Sequence, residues 1–169
     1  PENDWFAYGL KATAALIKAQ VGVEAVALDV GGYDTHADQG NFGGEYFYSI
    51  LRSLGDSLAA FMADLNASNV NFTIVVMSEF GRTAAENGSR GTDHGHGNIM
   101  LALGPGIAGG RVLTQWPGLS PGNLDSSGDL RNTIDYRDVL AEIVQQRLGN
   151  ANLASVFPGY VPTFRGVTV

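Results

Sequence analysis

Apolar residues recur along this chain in two rhythms, one of period near 3.6 and one of short continuous runs. Asn3 or Asp4 is placed to cap a first helix, and Phe6, Leu10, Ala14 and Ile17 fall on one stripe of it. Gly22 is its expected stop. Residues 23–30 then read Val-Glu-Ala-Val-Ala-Leu-Asp-Val, a near-continuous apolar run that predicts a strand buried on both faces. Helical spacing returns from about residue 42 to residue 67, with Phe47, Ile50, Leu51, Leu54, Leu58, Phe61, Met62 and Leu65 on one face. That stripe reads as core packing. Residues 72–77, Phe-Thr-Ile-Val-Val-Met, predict a second buried strand. Strand, helix and strand in this order predict a parallel pair joined by a right-handed crossover.

Residues 83–97 are polar and glycine-rich and read as a loop. Residues 98–103 predict a third strand, and residues 105–129 are irregular with a short strand expected at 111–113. A last helix is expected from near Asp135, with Val139, Leu140, Ile143, Val144 and Leu148 as its apolar face and Gly149 as its stop. The tail from Asn150 is expected to be irregular and to pack through Phe157 and Tyr160. The pattern contains no repeat and no linker, so residues 1–169 read as a single domain.

Composition narrows the function. Hydrophobic residues make up 44% and charged residues 16%, which is a folded composition. A net charge of -7 and the lack of any Lys/Arg run argue against nucleic acid as a partner. Cysteine is absent, which excludes disulfides, thiolate metal sites and thiol nucleophiles. No apolar stretch reaches the roughly 18–20 residues of a membrane span. The chain starts at Pro1 and runs almost directly into a helical pattern, which reads as a processed or excised piece of a longer protein.

All three histidines lie in two short glycine-flanked motifs. His36 belongs to Gly31-Gly32-Tyr33-Asp34-Thr35-His36, and His94 and His96 to Gly91-Thr92-Asp93-His94-Gly95-His96-Gly97. Imidazole with carboxylate is a mixed nitrogen and oxygen donor set suited to zinc, manganese or iron. In an open α/β sheet such residues at strand ends face one crevice. The expected metal ligands are Asp34, His36, Glu79, Asp93, His94 and His96. Arg82 and Arg90 are placed to hold an anionic group by bidentate hydrogen bonds. The plain alternative is a turn-capping Asp93 and a solvated His96.

Two other patterns carry less. Gly104-Pro-Gly106-Ile-Ala-Gly109 fits a dinucleotide-binding spacing, yet Pro105 fills the turn and no helix is predicted after it. Ser78 sits at a strand end without the glycines of a nucleophile elbow, which leaves a serine–histidine hydrolase open.

The chain resembles a bacterial family, the domain-of-unknown-function family fifteen-oh-one of the alkaline phosphatase and sulfatase superfamily. The resemblance rests on Gly32-Tyr33-Asp34-Thr35-His36, Ser78-Glu79-Phe80-Gly81-Arg82-Thr83, Glu86-Asn87-Gly88, Gly91-Thr92-Asp93-His94-Gly95 and Thr133-Ile-Asp135-Tyr136-Arg137. Tyr33 stands where that family more often has tryptophan. The resemblance implies a three-layer α/β/α sandwich around a mostly parallel sheet, alkaline-phosphatase-like, of which this chain is the C-terminal portion. It implies a divalent metal, zinc first, with manganese, calcium or iron as alternatives. The implied substrate is an anionic small-molecule or glycan ester of phosphate or sulfate. No residue is assignable as the nucleophile, because the superfamily places it in the N-terminal half. Twin-arginine export signals in the family imply an extracytoplasmic parent protein. Three readings stand: the metal-binding part of a hydrolase, a non-catalytic ligand- or partner-binding module with an incomplete site, or a structural remnant. An exposed sheet edge would add self-association.

Overall fold

A computed structural model describes residues 4–41 and 45–169. The chain divides into two compact units, Pro1–Val70 with Glu86–Thr92, and Asn71–Ala85 with Asp93–Val169.

The first unit is built on two helices. Helix α1 spans Trp5–Lys18, and the Asp4 side chain caps it by accepting a 3.0 Å hydrogen bond from the Ala7 N–H. It ends before Gly22, because Gln20 already takes the left-handed conformation (φ 54°). Helix α2 spans Tyr46–Ala67; the expected start near Phe42 lies outside the described residues. Its buried residues Leu54, Leu58, Phe61 and Leu65 keep helical spacing, whereas Leu51 is exposed, so the packed stripe is narrower than the apolar pattern. Leu10 and Ala14 of α1 join this core, and Lys18 pairs with Asp64 at 2.6 Å. The 23–30 run forms no strand. Its Leu28 lies against α1, where a β-carbon on Gly9 would stand 3.1 Å from Leu28 Cδ2. Val23, Val26 and Val30 are exposed.

The second unit holds the strands and two further helices. Strand β1 (Ile74–Val76) pairs antiparallel with β4 (Leu101–Leu103), in register Val75 to Ala102. Strands β2 (Gly81–Arg82) and β3 (His94–Gly95) form a second antiparallel pair. The expected three-layer α/β/α sandwich with a mostly parallel, alkaline-phosphatase-like sheet is therefore overturned. The described residues contain short two-stranded antiparallel sheets and no parallel pair. The physical reason is pairing: an apolar run becomes a strand only when a neighbour completes its hydrogen-bond ladder. Residues 72–77 find that neighbour in the segment after the histidine loop, and residues 23–30 find none. The short strand expected at 111–113 is likewise absent.

Helix α3 spans Tyr136–Arg147 and starts at Asp135, whose carboxylate accepts from the Arg137 N–H at 2.9 Å. Leu148 caps its end and Gly149 follows with φ 68°, as the sequence predicts. Its buried face is not the expected one. Asp138, Ala141 and Glu142 are buried beside Ile143, while Leu148 is exposed. The two carboxylates face the C-terminal strap, which follows the short helix α4 (Leu153–Val156). Asp138 accepts from the Thr163 N–H (2.7 Å), the Tyr160 hydroxyl (2.7 Å) and the Arg165 guanidinium (2.5 Å). Glu142 accepts from the N–H groups of Arg165 (2.7 Å), Gly166 (2.9 Å) and Thr168 (2.8 Å).

Burial alone raises the pKa of both carboxyls, but these donors outweigh it and leave each below its usual value. The folded-state pKa is depressed, so the stabilisation is present above the unfolded pKa and is lost as pH falls through the folded one. Hydrogen exchange at Thr163 and Gly166 should stay slow from neutral pH down to about pH 4 and speed up, relative to intrinsic rates, in stronger acid. Asp138→Asn should flatten that acid loss. In the first unit, Leu65 is fully buried, so Leu65→Ala should cost about 2–5 kcal/mol in denaturant unfolding.

Candidate functional site

The first histidine motif is held by backbone. Gly32 takes φ 97° where a β-carbon would come 2.8 Å from the Tyr46 hydroxyl, so the chain turns tightly against α2. Tyr33 follows, edge-on to Phe47 and donating to the Ile50 carbonyl at 3.3 Å. The 86–92 turn then clamps residues 35–39. The Thr92 N–H donates to the Thr35 carbonyl (3.1 Å), the Asn87 amide to the His36 carbonyl (2.8 Å), and the Gln39 N–H to the Arg90 carbonyl (2.9 Å). Gln39 Oε1 accepts from both Thr35 (2.7 Å) and Thr92 (2.9 Å) hydroxyls. Gly91 makes this approach possible, since a β-carbon there would lie 2.4 Å from the Thr35 carbonyl oxygen. On this frame His36 Nε2 stands 3.0 Å from Asp34 Oδ1, both side chains about half exposed. Arg90, itself at φ 61°, pairs with Asp38 while its guanidinium stays open to solvent.

The second motif is also set by glycines. A β-carbon on Gly81 would meet the Gly97 carbonyl oxygen at 2.1 Å, and one on Gly97 would meet Leu130 Cβ at 2.5 Å. Arg82 lies opposite His94 in the β2–β3 register. The His94 ring stacks on Phe80 with centroids 3.9 Å apart, and the Arg82 guanidinium sits 5.1 Å over the same Phe80 ring. Asp93 is exposed, and its N–H donates to the Thr83 hydroxyl at 3.2 Å. Glu79 is exposed beside Ser78. The Ser78 hydroxyl donates to the Phe80 carbonyl (2.5 Å) and accepts from the Asn98 amide (2.6 Å), which ties it into the turn.

His96 bonds through Nδ1 to Asp125, and Asp129 Oδ2 lies 3.9 Å from the same nitrogen. The hydrogen bond to Asp125 holds the imidazole above its usual pKa and, in return, holds the Asp125 carboxyl down at about 2. Neither aspartate was singled out by the motifs. The local signal is Asp125-Ser-Ser-Gly-Asp129, a polar turn sequence whose first aspartate bonds backbone two and four residues on.

Asp34, His36 and Arg90 thus belong to the first unit, and Glu79, Arg82, Asp93, His94 and His96 to the second. The dinucleotide-like glycines 104–109 form a turn with no helix after it, and Gly104 packs on the Phe72 carbonyl oxygen. No helix among the described residues is long and apolar enough to cross a membrane.

The class defined by these features is a protein of helices, turns and short antiparallel ladders that presents histidine–carboxylate pairs on glycine-rich backbone. The chain belongs to a family of proteins of unknown function, DUF1501, whose model matches residues 6–155. No curated protein and no solved structure matches it.

Substitution of the clamping glycine tests the frame. Gly91→Ala should destabilise the chain by about 1–3 kcal/mol through overpacking and shift the His36 amide resonance. Gly88→Ala in the same turn, with nothing within 4 Å of its added carbon, should leave both unchanged.

Proposed function

We propose that this chain is the metal-binding part of a hydrolase acting on phosphate or sulfate esters. The observation that carries the reading is the Asp34–His36 pair, an oxygen and a nitrogen donor 3.0 Å apart on a backbone frame that fixes them. This donor set fits a divalent ion, zinc first, with manganese, calcium or iron as alternatives. Asp34 and His36 would hold it. A divalent ion at such a site supplies Lewis acidity toward an ester oxygen. Arg90, with its guanidinium open to solvent, and Arg82, half-buried over the Phe80 ring, supply charge for an anionic ester group. Membership of the alkaline phosphatase and sulfatase superfamily, as a C-terminal portion, belongs to this proposal and rests on the ordered motif blocks.

The test joins metal content to turnover. The parent protein with its N-terminal half present, treated with chelator and reloaded with zinc or manganese, should retain metal and hydrolyse an aryl phosphate or aryl sulfate. Asp34→Asn and His36→Gln should each lower metal affinity by at least about tenfold and lower turnover with it. Retained metal without turnover of either ester would reject the hydrolase and favour a ligand-binding module.

A further inference from the structure

We propose that His96, Asp125 and Asp129 form a second binding site, for one divalent transition-metal ion of the zinc or manganese class. The inference stands apart from the ester-hydrolase reading and uses residues of the second unit alone.

The carboxylates have divided roles. Asp125 Oδ1 accepts from the N–H groups of Ser127 (2.8 Å) and Asp129 (3.0 Å), which shapes the loop. Its other oxygen, Oδ2, is left facing His96 Nδ1. A ring of backbone bonds holds the three residues at fixed separation. The Gly97 N–H donates to the Leu130 carbonyl (2.9 Å), the Asp125 N–H donates to the Asp129 carbonyl (2.9 Å), and Asp129 bridges to Thr83 beside β2. Loop and strand are therefore tied at both ends of the cluster, and the ligands are brought together by backbone rather than by chance of rotamer.

Asp129 is the independent pointer to a cation. Its side chain is only 7% exposed, and its one ion-pair partner among the described residues is His96, at 3.9 Å. That gap exceeds hydrogen-bonding length. At that distance the Asp129 carboxylate keeps an oxygen without a direct hydrogen bond to the imidazole and within reach of the other two ligands. Exposed acidic groups carry no such argument, because water already solvates them.

The spacing fits a single ion. One ligand atom from each residue lies within 4.8 Å of the others. An ion at roughly 2.0–2.2 Å from each donor holds its ligands within about 4.4 Å of one another, so the site forms once the ion displaces the His96–Asp125 hydrogen bond and the loop adjusts around it. The imidazole would bind through Nδ1 and carry its remaining hydrogen on Nε2. One nitrogen and two carboxylate oxygens favour zinc, manganese or ferrous iron over an all-oxygen calcium site. Three protein donors leave a position for water or an anion, and the His96 side chain, 58% exposed, leaves that side open.

Titration of the chelator-treated full chain with zinc and with manganese, followed by calorimetry, tests the site. An Asp34→Asn, His36→Gln background removes the donor pair of the other motif. That background should still bind one zinc, and adding Asp129→Asn or His96→Gln should weaken binding at least about tenfold. Manganese should selectively broaden the His96 ring resonances, a readout that persists if a variant fails to fold. Unchanged affinity in both added variants, or manganese broadening that spares His96, would overturn the proposal. Absence of ester hydrolysis by the unsubstituted parent protein, with zinc still bound at His96, would fail the functional reading alone.

Discussion

A β-carbon at Gly81 would sit 2.1 Å from the Gly97 carbonyl oxygen, and one at Gly91 would sit 2.4 Å from that of Thr35. At these points two stretches of main chain touch with no side chain between them. Each histidine motif is positioned by such a contact. The 86–92 turn fixes the direction of residues 34–36, and the β2–β3 ladder with the Gly97–Leu130 bond fixes residues 94–97. Side-chain packing supplies the core of each unit, but it does not place the chemistry. That task falls to hydrogen-bonded backbone, which holds a carboxylate and an imidazole at a set separation even where both are solvated.

The sequence made the helices and their caps legible. Asp4, Asp135 and Gly149 act where capping chemistry places them, and Leu54, Leu58, Phe61 and Leu65 bury at the expected spacing. The helices are legible because their hydrogen bonds are local and their stripes repeat. The sheet was not. The Val-rich run at residues 23–30 and the run at 72–77 look alike as strings, yet only the second finds a ladder. Strand pairing is a property of two segments, and nothing in one run names its partner. The expectation of a parallel sheet rested on chain order and on the family resemblance, and neither names a pairing partner.

The site shows the same division. Asp34 beside His36 is a near neighbour in sequence and a near neighbour in space. Asp125 lies 29 residues from His96 and hid within a segment read as irregular. Its role depends on a turn made by Asp125 Oδ1 with Ser127 and Asp129, whose elements are individually common. The α3 face hid for a different reason. Asp138 and Glu142 look solvent-facing by composition, and they are buried because the strap brings donors to them. Hydrophobicity cannot reveal a carboxylate that is buried by being satisfied.

That buried pair also makes the helix and the strap depend on each other. Asp138 and Glu142 stand four positions apart, and they share one face only once α3 has wound. Before that, the donors of Tyr160, Thr163, Arg165, Gly166 and Thr168 have no common surface to meet. Helix and strap therefore complete each other, since neither offers the other's partners by itself. The separations the strap spans are 22 residues for Tyr160 and 27 for Arg165. Damage to α3 should thus unzip the strap, and a loosened strap should leave two bare charges on the inner side of α3.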